Sequence, residues 1–232
     1  MRLITTLFKG VEEMIYPHVC EICGSSLPDT RQFICRRCLE SRFEYARLTH
    51  NPDNAEILLP ENIECQYALW KFDKGGYLQD LLHALKYHRL YGVGTDLGRA
   101  LAVRLKKYLI FNDLNDVVLV PVPLHPRKEK KRGYNQAYYL AVGMSEVLRF
   151  SIVEKNEVIR TKNTRTQTGF SLEKRKQNIH QAFQVKEKSA INGKTCIIVD
   201  DVFTTGATTF ELADELEKAG ARKIMITTVA EA

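Results

Sequence analysis

The sequence has no apolar run long enough to cross a membrane, because charged residues interrupt every such run well short of the roughly 18 residues required. Its first residues also lack the pattern of a secretory signal. Lys9, Glu12 and Glu13 interrupt the apolar stretch there, and no small-residue cleavage site follows. We therefore expect no membrane-spanning helix and a protein that stays in the cytoplasm.

The sequence also lacks internal repeats, low-complexity tracts and the G-x-x-x-x-G-K-[ST] pattern, so it is not a P-loop ATPase. It has instead an ordinary globular composition, with 44% hydrophobic and 27% charged residues. A chain of 232 residues is long enough for one α/β domain with a small additional module, and too short for two large domains.

Cysteine is scarce, and four of the six cysteines fall in two Cys-x-x-Cys pairs. In a chain without an export signal, such pairs indicate a metal site before they indicate disulfides. Cys20 and Cys23 form the first pair, and Cys35 and Cys38 form the second. This spacing predicts four thiolates around one tetrahedral Zn²⁺, and a closed four-sulfur shell indicates a structural ion.

Acidic residues are depleted in one segment of the chain. Between Arg127 and Lys176 there are 13 Lys and Arg residues but 5 Asp and Glu residues, although the whole chain carries a net charge of only +6. A local basic excess indicates a polyanion site, for nucleotide phosphates or a nucleic-acid backbone. A solvated basic face is the alternative.

The amino-terminal part and the remainder of the chain differ in pattern. Helical spacing of apolar residues predicts an amphipathic helix that ends before Pro17, and residues 45–64 have the composition of a polar connector. Aromatic residues are dense between Tyr67 and Tyr91, where most are expected in a core and one or two could stack on a base. The predicted division is 1–64 (helix, zinc module and connector) and 65–232 (the larger domain, with a helical part at 65–110 and a core at 111–232).

From residue 117 onward, short apolar runs alternate with helical patterns. This alternation predicts an α/β fold with a doubly wound parallel sheet. The predicted strands are 117–122, 158–160, 194–200 and 224–229, and the predicted helices of this part are 135–148 and 207–219.

One segment has the features of a phosphate site. A buried strand leads to two adjacent acids, then to a loop of small residues, then to a helix whose free amides and dipole suit an anion. The glycine lets the backbone approach the anion, and the acids suit vicinal sugar hydroxyls. A threonine-capped helix with two exposed acids is the alternative. The segment comprises Asp200, Asp201, Thr204, Thr205, Gly206, Ala207 and Thr208.

This segment closely resembles the 5-phosphoribosyl-1-pyrophosphate (PRPP) binding motif of type I phosphoribosyltransferases. The resemblance implies that Asp200 and Asp201 contact the ribose 2′- and 3′-hydroxyls. It also implies that residues 204–208 hold the 5′-phosphate.

Further motifs extend the resemblance over nearly the whole chain. Pro121 and Val122, followed by Arg132, resemble the pyrophosphate loop of these enzymes, and residues 161–178, with Arg165 and Arg175, resemble their mobile loop. Together with the zinc module, this order of motifs resembles the ComF family. The resemblance implies a role in DNA uptake or processing during natural transformation, with single-stranded DNA and the DNA-uptake machinery as possible partners.

Two hypotheses follow from the resemblance. In the first, the protein is a phosphoribosyltransferase whose catalytic residues are Asp200, Asp201, Arg132, Arg165 and Arg175. Mg²⁺ bound with PRPP assists it, the arginines hold the leaving pyrophosphate, and the acceptor is open. In the second, the same fold serves as a non-catalytic protein that binds single-stranded DNA or senses a nucleotide, such as a transcription regulator.

Overall fold

A computed structural model describes residues 18–46, 49–50, 59–109, 116–163 and 181–232. The predicted amino-terminal helix lies outside these ranges, and so do Arg165 and Arg175. Within the ranges, no helix combines the length and apolar character of a membrane span.

The described residues form six α-helices, eight β-strands and a 3₁₀ turn at Lys188–Ala190. The helices are α1 (Arg36–Ser41), α2 (Tyr77–Tyr87), α3 (Tyr91–Leu109), α4 (Pro126–Arg132), α5 (Gln136–Leu148) and α6 (Ala207–Lys218). The strands are β1 (Thr49–His50), β2 (Cys65–Lys71), β3 (Val117–Pro121), β4 (Ser151–Ile152), β5 (Val158–Arg160), β6 (Phe183–Val185), β7 (Thr195–Phe203) and β8 (Lys223–Glu231).

A six-stranded sheet forms the centre of the fold, in the order β1-β2-β8-β7-β3-β4. All neighbours in it are parallel except β1, which pairs with β2 in the antiparallel sense. Strands β5 and β6 form a separate antiparallel pair. The predicted α/β class with a parallel, doubly wound sheet is confirmed.

Helices cover the sheet on both faces, which is why its central strands are apolar almost throughout. Along β7, Ile197 and Val199 pack in the core cluster that contains residues of α3 and α5. Cys196 and Ile198 point the other way, into the cluster that contains residues of α6. Alternate residues of one strand therefore supply two separate cores.

Helices α3 and α5 pack at close range because glycines lie at their contact. A Cβ on Gly98 would lie 2.1 Å from the carbonyl oxygen of Leu140, and one on Gly143 would lie 2.0 Å from that of Thr95. Larger residues would force the helices apart. This packing fixes α5, whose first turn faces the candidate site.

The two acids lie within β7, which continues to Phe203 instead of ending near Asp200 as predicted. Strand β3 pairs with β7 only as far as Pro121, opposite Val199. Strand β8 continues alongside to the end of β7. Asp200 and Asp201 therefore have a strand neighbour on one side only, at the carboxyl edge of the sheet, where ligands of α/β folds bind.

Candidate functional site

The four cysteines of the two pairs come together at one point. Their sulfur atoms lie within 4.8 Å of one another, and the Sγ atoms of Cys23 and Cys35 are 3.8 Å apart. A tetrahedron with Zn–S bonds of about 2.3 Å has edges of about 3.8 Å, so the group has the right size for zinc. The amide of Cys35 also donates to the sulfur of Cys20 (3.3 Å), as expected where thiolates bind a metal.

The cysteine module is fastened to α3 by one buried carboxylate. Oδ2 of Asp96 accepts hydrogen bonds from the amides of Phe33 (2.6 Å) and Ile34 (2.9 Å). Burial raises the pKa of Asp96, although these amides and Arg99, which donates to Oδ1 at 2.7 Å, act in the opposite direction. These hydrogen bonds therefore hold the cysteine module against α3.

The loop between β7 and α6 presents unpaired amides. Within the described part of the chain, the amides of residues 204–208 donate no hydrogen bond, and Gly206 caps the helix with a φ of 72°. Such a helix start binds anions. A Cβ on Gly206 would lie 2.2 Å from the ring of Phe210, so a close side-chain contact, as well as the positive φ, requires glycine here.

The acid pair is held by groups from two other elements. Nζ of Lys86, at the end of α2, forms an ion pair with Oδ2 of Asp201. Gln136, at the start of α5, donates to Oδ1 of Asp201 at 3.3 Å. The amide of Asp201 donates to Oδ1 of Asp200 at 2.9 Å.

These contacts shift the pKa values of the two carboxyls in opposite directions. Burial and the neighbouring Asp201 raise the pKa of Asp200 well above its usual range. Burial acts on Asp201 in the same way, but Lys86 outweighs it and lowers the pKa of Asp201. Asp201 is therefore the ionised member of the pair, and Asp200 is the more readily protonated one.

Besides Lys86, three cations lie around the acids: Arg132, Arg160 and Lys128. Arg132 donates to Oε1 of Gln136, and its guanidinium lies 5.7 Å from the ring centroid of Tyr87. Arg160 is buried, and its guanidinium lies 5.1 Å from the ring centroid of Phe183. Burial lowers the pKa of Lys128, and the charges of Arg160 and Arg132 lower it further. Three repelling cations are an arrangement that a polyanion would stabilise.

Pro121 and Val122 lie at the end of β3, directly beside the acids. The amide of Val122 donates to the carbonyl oxygen of Val199 (2.9 Å), and the carbonyl oxygen of Val122 accepts from the side chain of Asn135 (3.0 Å). A cleft of about 650 Å³ adjoins Pro121 and has Tyr134, Tyr138 and Arg160 in its walls, but neither acid and none of residues 204–208 lines it. That volume is in the range of small-molecule sites.

The structure thus brings Asp200, Asp201, Arg132 and residues 121–122 together at one edge of the sheet. Sequence reasoning assigned no role to Lys86, Gln136 or Arg160. The sequence contained one indication for Lys86. It follows the buried leucines of α2 at helical spacing and therefore lies next to their face of the helix. Nothing in the sequence indicated that this face meets β7.

Comparison with known proteins identifies the domain. A family model described as "Phosphoribosyl transferase domain" matches residues 104–232. The fold and the site therefore define a protein with a phosphoribosyltransferase domain.

Similar proteins narrow the assignment. The chain is 31% identical to the DNA utilization protein YhgH of Escherichia coli K12 over 90% of this chain and 82% of the relative. It is 27% identical to competence protein F of Haemophilus influenzae over 92% of this chain and 96% of that protein. It is 34% identical to competence protein ComFC of Bacillus subtilis over 39% of this chain and 34% of that protein. The chain belongs to the ComF family.

Proposed function

We propose that the protein binds PRPP, or another nucleotide carrying ribose 5-phosphate, and transfers the phosphoribosyl group to an acceptor. The observation that carries this proposal is the placement of an ionised carboxylate, Asp201, beside a helix start with unpaired amides. Residues 204–208 would hold the 5′-phosphate, and Asp200 and Asp201 would accept hydrogen bonds from the sugar hydroxyls.

The cations near the acids suit the leaving pyrophosphate. We propose that Arg132, together with Arg165 and Arg175, binds it, that Arg160 adds charge from the cleft wall, and that Lys128 adds charge from beside Arg160 and Arg132. Mg²⁺ entering with PRPP would neutralise phosphate charge. The residues of the chain orient the sugar and keep a carboxylate near the carbon that becomes positive in the transition state.

For the cysteine module we propose a structural Zn²⁺ held by Cys20, Cys23, Cys35 and Cys38. The sulfur separations support this choice. With four protein ligands the ion has no open position, so its contribution is to stability.

A second candidate function is binding of single-stranded DNA during natural transformation, with the site acting as a nucleotide sensor. Exposed tyrosines around the site support it: Tyr87 is 62% exposed, Tyr91 54% and Tyr138 41%. Exposed rings next to cations such as Arg132 form stacking platforms for bases. The names of the relatives, which concern competence and DNA utilization, favour the same role.

The test of the first function is calorimetry with PRPP and Mg²⁺, followed by a search for pyrophosphate release with a panel of acceptors. Binding that is weakened in Asp201→Asn but unchanged in the exposed control Asp214→Asn would support the site. Binding without release for any acceptor would favour the sensor. Absence of PRPP binding would contradict the first function.

A further inference from the structure

Lys86 reaches the acid pair from a different part of the fold. It lies in the last turn of α2, where burial of Leu78, Leu81, Leu82 and Leu85 fixes the helix. Its side chain is only 27% exposed, and its Nζ atom contacts Oδ2 of Asp201. The fold therefore holds the Lys86 side chain in one position at the acid pair.

The other oxygen of the same carboxylate has its own donor. Gln136 is buried and donates from Nε2 to Oδ1 of Asp201, while its Oε1 accepts from Arg132. Because Arg132 only donates, it fixes which end of the amide faces the acid. Lys86 and Gln136 thus hold both oxygens of Asp201.

We propose that Lys86 is a positioning residue for the sugar: by keeping Asp201 as a fixed, ionised acceptor, it sets a preference for ribose 5-phosphate over 2-deoxyribose 5-phosphate. This inference rests on the proposed function. Each carboxylate oxygen has two lone pairs, so one contact with Lys86 and one with Gln136 leave the carboxylate of Asp201 with acceptor capacity for a sugar hydroxyl. A deoxy sugar has one hydroxyl fewer to donate and loses one charged hydrogen bond.

Removal of Lys86 would leave two adjacent carboxyls without their contacting cation. Arg132 faces the pair through Gln136, and Arg160 acts on Asp200 from β5, so neither replaces the direct contact with Asp201. A buried carboxylate that loses its partner is destabilised and takes up a proton. A protonated carboxyl accepts hydrogen bonds less strongly. The 2-hydroxyl of ribose would then contribute less to binding, and the preference for ribose over the deoxy sugar would fall.

The experiment is calorimetry with ribose 5-phosphate and 2-deoxyribose 5-phosphate as the two probes. In the wild type we expect at least a tenfold preference for ribose, the usual effect of one charged hydrogen bond. In Lys86→Met the preference should fall below about threefold, mainly through weaker ribose binding. Lys86→Arg should restore it, and Lys107→Met, an exposed lysine of α3, should leave it unchanged.

A double variant separates this role from a structural one. On an Asp201→Asn background, Lys86→Met should change the ribose preference no further, because the lysine acts through Asp201. An additional loss there, or an unchanged preference in Lys86→Met, would overturn the inference while leaving the proposed function standing. If the wild type binds neither sugar phosphate, the proposed function itself fails.

Discussion

Two adjacent carboxyls in one strand have different chemistry here because their neighbours differ. Asp201 has a lysine and an amide as direct partners, whereas Asp200 has the backbone amide of Asp201 and the repulsion of its charge. In a partly closed site such differences decide which carboxyl accepts a hydrogen bond and which carries a proton.

Replacing both acids should weaken PRPP binding while leaving the phosphate contacts in place. For Asp200→Asn with Asp201→Asn we expect a loss of about 1.5–3 kcal/mol for each charged hydrogen bond removed. Calorimetry with PRPP measures the loss, and inorganic phosphate, which has no sugar, serves as the control ligand. Unchanged PRPP affinity would contradict the assignment of this pair.

Gly206→Val should abolish PRPP binding and destabilise the start of α6. The positive φ disfavours any branched residue, and a Cβ at this position would collide with Phe210. Gly193→Val is a matched control, because Gly193 has a φ of 75° and open space around its Cβ position. Thermal unfolding should report backbone strain in both variants and a larger loss in Gly206→Val because of the collision with Phe210, and only Gly206→Val should lose PRPP. Equal loss of binding in both variants would point to strain alone.

At the scale of elements, the cysteine module and α3 form one unit. Asp96 bonds two successive backbone amides of the module, and a Cβ on Gly92 would lie 1.9 Å from the ring of Phe33. Helix α3 in turn packs on α5, which carries Gln136 in its first turn. A metal in the module would therefore support the site through two packed helices.

We expect about one Zn²⁺ per chain, measured by metal analysis of the purified protein. Cys20→Ser or Cys38→Ser should lose the metal and destabilise the module, because a structural ion contributes folding energy. The sheet contains none of these cysteines, so its circular dichroism should persist. Full zinc occupancy after replacement of both Cys35 and Cys38 would show that the ligands are elsewhere.

At the scale of the molecule, the cations on and near α4 fall into two groups. Helix α4 turns Lys130 and Lys131 to solvent, while Lys128 is partly buried near Arg132 and Arg160. The inner group suits a bound pyrophosphate. The outer group suits a nucleic-acid backbone that runs past the tyrosines at the edge of the site.

Lys130→Gln with Lys131→Gln should weaken single-stranded DNA binding across sequences and flatten its salt dependence by about 1.4 units, at roughly 0.7 per phosphate contact. Filter binding over a range of salt concentrations measures the slope. Lys106→Gln with Lys107→Gln, two exposed lysines of α3, is the matched control. A slope that changes in the control and not in the α4 variant would move the DNA contact to α3.

Local features could be predicted from the sequence because a few neighbouring residues produce them. The cysteine pairs, the buried strand at 194–200 and the glycine that begins α6 depend on spacing, side-chain period and one backbone dihedral. The end of β7 could not be predicted. Strand β8 extends β7 to Phe203 by pairing with it. Strand β3 ends earlier and leaves the acids without a strand neighbour on that side.

The sequence by itself determined the family, the two candidate ligand sites and the class of sheet. Only the tertiary structure decided how the acids are held, since Gln136 and Asp201 are 65 residues apart in the chain and Lys86 belongs to a third element. No periodicity or motif reports a contact between distant segments. Such contacts follow from how helices pack on a twisted sheet, and the charge state of Asp201 depends on them.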